Sequence, residues 1–381
     1  MRRPSFRIVT IAIVASTLIA GLAAVLVVRP RVPILGIGPA CVLEPADRGF
    51  RRIDTLRRIA LFADGSALAV GSRYSGAVGQ PIAFRWRDGA WRPMDVPSVS
   101  EKVTSGLHDV AAFGADAWAV GSIRARTPLA VRWDGEGWSD VPTDGLAEDA
   151  EAEWLGVAAT RAGGVLAVGK ILDGLAYRTL VGRLDAGRFV AERGPNVGDG
   201  NNVFADVDLR GASAWAVGWT VGPDGVYRTL AARFADGAWV VEPTPDPGVG
   251  DDVLSTVAVV DADTAWAVGW SRDGEGEPTP LVLRWDGAPW RAVRPPAAAG
   301  RLLAVAATGG RLVVAGDVMD DDRRQVALAY ARVDGAWEEI PTPDPQDRWY
   351  TGLALVGEAD ALAVGPQVVG GRYGSFLATG C

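Results

Sequence analysis

The chain has 381 residues, of which 49% are apolar and 15 are tryptophan, so it can bury a large core. Its formal net charge of −8 excludes nucleic acid and anionic lipid as main partners of the folded part, because both require a basic protein surface. The single histidine, His108, excludes a metal site or proton relay built on two histidines of this chain. No Walker loop, dinucleotide fingerprint or nucleophile elbow occurs in the sequence. Composition therefore favours a large folded module without a recognisable catalytic motif.

The N-terminal segment predicts a membrane anchor. Residues 8–28 form an uncharged apolar run of bilayer length that follows the arginine-bearing stub 1–7. We expect 1–7 to be cytoplasmic, 8–28 to be a signal anchor and transmembrane helix, and 29–40 to be a Pro/Gly linker. The alternative is a cleaved signal peptide with a small-residue site within 20–24, which would make the protein secreted. The expected location is the cell membrane, single-pass, with 41–381 outside the cytoplasm.

An internal repeat dominates the rest of the chain. The tripeptide Ala-Val-Gly, or a close variant, recurs seven times at intervals of 47 to 51 residues. Its glycines are Gly71, Gly121, Gly169, Gly218, Gly269, Gly316 and Gly365. Self-similarity at such a period is typical of propellers and other repeat folds.

Each repeat contains four short apolar segments, and Asp-Gly separates the third from the fourth in most copies, as in RWDGAPW at 284–290. Asp-Gly between apolar segments predicts a tight β-hairpin. Several segments are apolar at consecutive positions, so both faces of each sheet must be buried, as in stacked propeller blades. We therefore predict an all-β, seven-bladed β-propeller with four-stranded blades over 41–381, in addition to the transmembrane helix.

The two ends of the repeat region indicate a closed ring and not a linear β-solenoid, which is the rival fold. The seventh repeat stops at 375–381 and lacks its fourth strand, while 41–45 resembles the fourth strand 239–243. The N-terminal strand is therefore predicted to complete the last blade. That pairing places Cys41 beside Cys381, and we predict a disulfide between them. Such a bridge would close a loop of roughly 340 residues, for which chain entropy gives about 5 kcal/mol.

The pattern AWAVG…RWDG..W resembles the repeats, about fifty residues long, of uncharacterised exported bacterial propellers, and more loosely those of kelch-type and Asp-box propellers. The resemblance covers 41–381. The kelch double glycine is missing, and the Asp-box order is matched only by its Asp, Gly and Trp. The resemblance implies a fold and implies no substrate.

Residues that recur in every blade are interpreted as scaffold, because equivalent positions lie far apart around a ring. The recurring arginines, such as Arg132 and Arg284, are expected to pack over tryptophans, and the recurring aspartates to form turns. Acidic loops at 148–153, 251–252 and 320–322 could bind calcium, but none has the ligand spacing of an EF-hand, so solvated charge is the preferred interpretation. We predict no metal and no cofactor.

The turns between first and second strands and between third and fourth strands are short in sequence, whereas the other connections are predicted to be long and to share one face. Binding residues concentrate on such loops. Tyr, Trp and Arg are typical contact residues. The predicted ligand-binding residues are Tyr177, Arg178, Tyr227, Arg228, Trp154 and Trp349.

The favoured function is a non-enzymatic binding or scaffolding module outside the cytoplasmic membrane, whose partner is a protein or a glycan of the envelope. Contact with the membrane is expected through the N-terminal helix only, and nucleic acid is not expected as a partner. The alternative is a hydrolase or lyase that uses carboxylates and tyrosines at the mouth of the central channel to cleave a glycan.

Overall fold

The computed structural model describes residues 54–88, 90–97, 100–160, 164–274, 276–342, 346–356, 360–369 and 372–380. The predicted stub, transmembrane helix and linker (1–40), the strand 41–45 and both cysteines lie outside these residues. Within the described ranges, no helix has the length and apolar character needed to cross a membrane.

The described strands form seven sheets, in which consecutive strands pair antiparallel. The first three sheets contain β1 (Asp54–Leu61), β2 (Ala67–Ser75), β3 (Val78–Arg87), β4 (Ala90–Met94), β5 (Ser105–Phe113), β6 (Asp116–Ile123), β7 (Thr127–Trp133), β8 (Trp138–Asp140), β9 (Thr143–Asp144), β10 (Ala152–Ala159), β11 (Val165–Asp173), β12 (Ala176–Asp185) and β13 (Arg188–Arg193). The next two contain β14 (Asn202–Arg210), β15 (Ser213–Val221), β16 (Tyr227–Ala235), β17 (Ala238–Glu242), β18 (Asp251–Val259), β19 (Ala265–Arg272), β20 (Thr279–Trp285) and β21 (Arg291–Ala292). The last two contain β22 (Arg301–Ala307), β23 (Arg311–Met319), β24 (Gln325–Val333), β25 (Ala336–Glu339), β26 (Gly352–Val356), β27 (Asp360–Val369) and β28 (Arg372–Gly380).

In chain order, we call the first six sheets blades 1 to 6. We call the last one the seventh sheet. The sequence predicts seven four-stranded blades. Six of the sheets have at least four described strands, and the seventh has three, β26 to β28. In each sheet the first strand is the inner one, because residues of all seven first strands line one central cavity. The predicted all-β propeller is confirmed.

Both faces of a blade are buried, which explains the apolar runs that do not alternate with polar residues. In β6, Ala117 and Ala119 pack in a cluster with Leu68 of blade 1. The residues between and beyond them, Trp118 and Val120, pack in a second cluster with residues of blade 3. Each strand thus supplies one face to each neighbouring blade, as sheet-on-sheet packing requires.

The repeated glycine is required by a close approach between the first two strands of a blade. A Cβ atom on Gly121 would lie 1.9 Å from the carbonyl oxygen of Gly106 in the inner strand. The same clash, at 1.9 Å from the oxygen of Glu153, would occur at Gly169. The inner strands of blades 1 to 6 also carry a β-bulge at this level, for example between Leu107 and Asp109. Glycine at this position therefore maintains the blade geometry.

The recurring aspartates and arginines are structural, as the sequence predicts. Asp236 and Gly237 have φ values of 51° and 83°, the left-handed pair of a tight hairpin turn. The guanidinium carbon of Arg284 lies 5.4 Å from the ring centre of Trp266. Trp285 and Trp290 are buried, with 8% and 4% of their surface exposed. These contacts account for the residues that recur in the repeat.

The first and seventh sheets meet around Ser375. The Ser375 hydroxyl donates to the carbonyl oxygen of Asp54 at 2.6 Å and accepts the N–H of Leu56 at 2.7 Å. A Cβ atom on Gly352 would lie 2.9 Å from Cα of Arg58, just as one on Gly156 would lie 2.9 Å from Cα of Asp206 in blade 4. The seventh sheet therefore packs on blade 1 in the way that blade 3 packs on blade 4, and the ring is closed.

Candidate functional site

A cavity of about 280 Å³ lies where the seven inner strands meet. The first residue after the bulge in each inner strand lies beside the inner strand of a neighbouring blade at several of the seven positions, and its identity varies. In chain order these residues are Arg58, Asp109, Gly156, Asp206, Thr256, Ala304 and the equivalent Gly352. This position breaks the symmetry of the repeat, so it is the first place to look for chemistry.

The aspartates at this level connect one blade to the next. An Asp109 carboxylate oxygen accepts the N–H of Val157 at 2.7 Å. An Asp206 oxygen accepts the N–H of Val257 at 2.9 Å and the hydroxyl of Thr256 at 2.6 Å. These bonds satisfy polar groups beside the bulges, which would otherwise be buried without partners.

Burial shifts the pKa values of two of these carboxyls upward. Loss of solvation, together with the nearby Asp206, raises the pKa of Asp109 to about 7, and Arg58 opposes the rise. Loss of solvation also raises the pKa of Asp208 to about 6, although the N–H groups of Val259 and Leu209 oppose it. Perturbed carboxyls in a cavity are catalytic candidates. Here, however, the cited oxygens accept backbone N–H groups of the scaffold.

His108 has a structural role beside this ring. Its Nδ1 lies 3.0 Å from the carbonyl oxygen of Trp154 in blade 3, and an Nδ1–H donates across that distance. Burial lowers the pKa of His108 to about 4, so the ring is neutral at pH 7. No tyrosine and no histidine is among the described residues that line the cavity. We assign the cavity carboxylates and His108 to the scaffold.

The second region of interest is the face that carries the connections between sheets, together with the turns between second and third strands. We call it the connection face. The turns from second to third strands are shorter than predicted in blades 1 to 3, for example Gly76-Ala77 and Gly174-Leu175, and have five or six residues in blades 4 to 6. They are short because the strands themselves extend to the face, as Leu172 pairs with Tyr177 and Asp173 with Ala176. The longer segments on this face are the sheet-to-sheet connections such as 194–201 and 243–250.

Trp154, one of the predicted ligand-binding residues, does not lie on this surface. Its side chain is 0% exposed and its indole N–H donates to the Thr143 hydroxyl at 3.2 Å. It occupies the inner-strand position before the bulge, where Leu107 and Phe204 stand in neighbouring blades, and these are also buried. That position points into the blade core, so Trp154 belongs to the scaffold.

Arg178 and Arg228 lie on the connection face, but their guanidinium groups are already bonded to neighbouring segments of that face. The Arg178 guanidinium donates to the carbonyl oxygens of Gly198, Asp199 and Gly200 at 3.1 to 3.2 Å. Arg228 forms an ion pair with Asp224, with 2.5 Å between Nη2 and Oδ2. Their contacts give both arginines a role in holding the connections in place.

Tyr177 and Tyr227 are half-buried at the start of β12 and β16. The Lys170 ammonium lies 4.4 Å from the ring centre of Tyr177. The ring centre of Tyr227 lies 4.9 Å from that of Trp219. Trp349 is half-buried in the connection before the seventh sheet. Its backbone N–H donates to the carbonyl oxygen of Pro366 at 3.2 Å. The structure thus puts the two tyrosines on adjacent blades, and Trp349 three blades further along the chain.

The most exposed apolar side chains of the connection face were not predicted. Leu175 is 102% exposed, Val249 88% and Val197 43%. Together with Tyr177, Trp219 and Tyr227 they form what we call the apolar patch of blades 3 to 5. A further exposed apolar residue of this face, Met319, belongs to blade 6. The remaining large apolar residues exposed in the described ranges, Val190 and Val240, lie on the outer strands β13 and β17.

Hydrogen bonds of backbone and polar groups join the connections and strands that carry the patch residues. Tyr177 donates its backbone N–H to Asn201 of the 194–201 connection at 2.8 Å. Within the same connection, the Val197 oxygen accepts the hydroxyl of Thr220, the neighbour of Trp219, at 3.2 Å. Tyr227 donates its N–H to Asp251 at 3.2 Å. These bonds hold the connections of blades 3 to 5 against the neighbouring strands on this face.

A sequence signal for the patch exists. Leu175 follows Gly174 in a two-residue turn, and Val249 stands between Gly248 and Gly250. An apolar side chain in such a turn has no core to enter. The spacing of the repeat alone does not reveal this, because the repeat marks the strands and not their connections.

The acidic loops are mostly neutralised by nearby cations. Glu153 pairs with Lys170 at 3.0 Å and Glu151 with Arg126 at 2.8 Å. Asp322 pairs with Arg324. Across the described part of the chain, no three side chains of the types His, Cys, Asp or Glu are grouped so that they could hold a metal ion.

Comparison with known proteins supports the fold alone. No protein-family model and no curated protein matches the chain. A solved structure described as YCF48 bound to D1 peptide has a TM-score of 0.53 and 14% identity, covering 91% of this chain and 99% of that one. A polysaccharide lyase of family PL25, an ulvan lyase bound to a GlcA-Rha3S oligosaccharide, has a TM-score of 0.51 and 11% identity, covering 91% and 95%. Their ligands differ in class, so the shared architecture does not specify one.

Proposed function

We propose that this protein is a binding module whose ligand is a polypeptide segment of another protein, held on the apolar patch of blades 3 to 5. The observation that carries the proposal is the concentration of exposed aliphatic side chains on one face, with Leu175 at 102% and Val249 at 88% exposure. Contiguous exposed apolar surface on a soluble domain marks interaction sites. The likeness to a propeller described with a bound peptide is compatible with this proposal.

The chemistry of the patch favours a protein over a glycan. Leu175, Val197 and Val249 are aliphatic and offer neither a hydrogen bond nor a flat aromatic surface to a sugar ring. Burying them against apolar side chains of a partner would gain roughly 25 cal/mol for each Å² removed from water. Tyr177 and Tyr227 would add aromatic contact area with few rotatable bonds, which is typical of interface residues.

We further propose that the propeller works outside the cytoplasmic membrane, tethered by residues 8–28, or secreted if that segment is cleaved. The supporting observation is the apolar run behind the arginines of 1–7. In this proposal the strand 41–45 completes the seventh sheet as a seventh four-stranded blade, and Cys41 bonds to Cys381. Two free thiols in exported protein would contradict the bridge.

The alternative, a glycan hydrolase or lyase at the channel mouth, has less support from the geometry. It needs free carboxylates and tyrosines around a common point. The oxygens of Asp109 and Asp206 cited above accept N–H groups of Val157 and Val257. Tyr177 and Tyr227 lie on β12 and β16, the third strands of their blades, away from the inner strands. We therefore keep the binding module as the proposed function.

The proposal can be tested by placing a photo-crosslinking amino acid at chosen positions of the full-length protein in its native cells. Probes at Leu175 and Val249 are expected to give conjugates with the same protein, identified by mass spectrometry. Matched controls are Val190 and Val240, which are 45% and 47% exposed on the outer strands of blades 3 and 4. The double variant Leu175→Asp with Val249→Asp is expected to weaken binding of the purified partner at least tenfold.

The double variant Val190→Asp with Val240→Asp should bind the partner like wild type. Conjugation at Val190 and Val240 but not at the patch would place the ligand on the blade edges and contradict the proposal. Binding of an envelope glycan that survives the patch substitutions would contradict the assignment of a protein ligand.

A further inference from the structure

Two neighbouring connections of the propeller are copies of each other that differ in charge. Residues 195–202 read PNVGDGNN and residues 245–252 read PDPGVGDD. The first joins blades 3 and 4, and the second joins blades 4 and 5. Because the glycines align, each residue of one connection has a counterpart in the other. The pair Asn202 and Asp252 is the informative one.

Asn202 completes the first connection with its side-chain amide. Its Oδ1 accepts the N–H of Val197 at 2.8 Å. Its Nδ2 donates to the carbonyl oxygens of Val197 and Gly200, at 3.2 and 2.9 Å. Asn202 is 0% exposed, so this closed set of hydrogen bonds is what makes its burial acceptable.

Asp252 has the same position but cannot form the same set, because a carboxylate has no N–H to donate. One oxygen, Oδ2, accepts the N–H of Gly248 at 3.2 Å. The other, Oδ1, is buried and has no hydrogen-bond partner in the described part of the chain. The residue is 1% exposed. A buried charged oxygen without a partner is costly, and a proton, a water molecule or a bound cation would relieve that cost.

Further oxygen atoms converge on the same place. The point that a Cβ atom on Gly248 would occupy lies 3.1 Å from Oδ1 of Asp252, 3.1 Å from Oδ1 of Asp273 and 2.6 Å from the Ser271 hydroxyl oxygen. Asp273 and Ser271 come from the end of β19 and the turn after it, so two segments of the chain supply these oxygens. The Val249 N–H, which donates to Asp273 Oδ1 at 2.9 Å, holds the connection against that turn.

The guanidinium groups of this corner are already paired with other carboxylates. Arg228 pairs with Asp224, and Arg272 pairs with Asp251 at 2.8 Å. Neither Asp252 nor Asp273 takes part in an ion pair of the described residues. Burial raises the pKa of Asp252, and the nearby Asp246 and Asp273 raise it further, against the Ser271 hydroxyl and the Gly248 N–H. Arg228 attracts Asp246 and Asp252 only at longer range, so neither Asp252 nor Asp273 has a cation in direct contact among the described residues.

We propose that the connection between blades 4 and 5 binds a calcium ion through Asp252, Asp273 and Ser271. Hard oxygen ligands and flexible geometry suit Ca²⁺, with water completing the coordination. The site supplies two carboxylates and one hydroxyl, so the dissociation constant should lie in the range of extracellular modules, on the order of 10⁻⁴ to 10⁻³ M. Because Val249 of the apolar patch lies in this connection, the ion would also fix part of the binding surface. The proposal does not depend on the identity of the ligand.

The test uses the full-length chain in detergent micelles after treatment with EDTA. Calorimetric titration with CaCl₂ is expected to show binding, and millimolar Ca²⁺ is expected to raise the melting temperature. The variant Asp252→Asn gives the second connection the amide that the first one has, so it is expected to fold. We expect it to bind Ca²⁺ at least tenfold more weakly and to show no calcium-dependent stabilisation.

The matched control is Asp199→Asn, which removes an exposed carboxylate from the connection between blades 3 and 4 and leaves Asp252, Asp273 and Ser271 in place. It is expected to bind Ca²⁺ like wild type. No binding of Ca²⁺ by the wild type would overturn the proposal, and would indicate that Asp252 is protonated in the folded protein. Equal binding by wild type and Asp252→Asn would also overturn it, because the ion would then lie elsewhere.

Discussion

In the blade interiors the same residue types recur from blade to blade, whereas on the connection face they change. Before the repeated glycine, blades 2, 4 and 5 all carry tryptophan, at Trp118, Trp215 and Trp266. The residue directly after that glycine varies: it is serine in blades 1 and 2, Lys170 in blade 3, tryptophan in blades 4 and 5, and Asp317 in blade 6. Packing determines the first position, because it is enclosed by two sheets. It does not determine the second, which is half-buried at Lys170, Trp219 and Trp270 and buried at Asp317.

The largest expected effect is in a blade interior. Trp285 is 8% exposed and lies 4.8 Å from Trp215 between ring centres. We expect Trp285→Ala to lower the free energy of unfolding by about 3–5 kcal/mol, because it leaves a large cavity. The matched control is Trp270→Ala on the connection face, expected to cost less than about 1 kcal/mol. Denaturant unfolding measures the loss of unfolding free energy in both variants. Equal losses would contradict the expected difference between the blade interior and the connection face.

A smaller effect is expected where the blade interior has no room for an added methyl group. A Cβ atom on Gly121 would lie 1.9 Å from a carbonyl oxygen, whereas one on Gly137 in the same blade would meet nothing within 4 Å. We expect Gly121→Ala to cost roughly 1–3 kcal/mol, because inner and second strands must separate. Gly137→Ala should be close to neutral. Thermal unfolding of the two variants tests this, and a neutral Gly121→Ala would show that the close approach is not required.

The smallest effect is a pH dependence that arises in the inner ring. The pKa of Asp109 is raised to about 7, mainly by burial and then by Asp206, while Arg58 faces it from blade 1. The folded state therefore holds a proton that the unfolded state releases near pH 4, and stability from this group is lost as pH rises from about 4 to about 7. We expect the melting temperature of Asp109→Asn, relative to wild type, to be higher at pH 8 than at pH 5.

The control for this measurement is Asp134→Asn. Asp134 lies in the turn between β7 and β8, on the face opposite the connection face. The N–H groups of Gly137 and Glu136 lower the pKa of Asp134, so the contribution of this group changes only below pH 4. Its difference from wild type should therefore be the same at pH 5 and pH 8. If the melting-temperature difference between Asp109→Asn and wild type were also the same at pH 5 and pH 8, Asp109 would be ionised throughout this range.

The parts of the molecule that repeat were predictable from the sequence, and the parts that do not repeat were not. The glycine period predicts the sheets, and burial of Trp133 and Trp290 follows from it. Trp154 was misplaced because it was judged by its neighbours in sequence; aligned with Leu107 of the preceding repeat, it would have been assigned to the core. The role of Arg178 depends on the directions of three backbone carbonyl groups. The residue types in that connection do not predict those directions.

The closure around Ser375 has a consequence for how the molecule opens. In an open array of repeats the terminal units have one neighbour and unfold first. Here blade 1 and the seventh sheet contact each other, so every sheet has two neighbours and no unit is an end. Loss of one blade interface then converts the ring into an array with two free ends. The Ser375 hydroxyl, which bonds to Asp54 and Leu56, is one of the contacts at this seam, and the lifetime of the native ring depends on all of its interfaces.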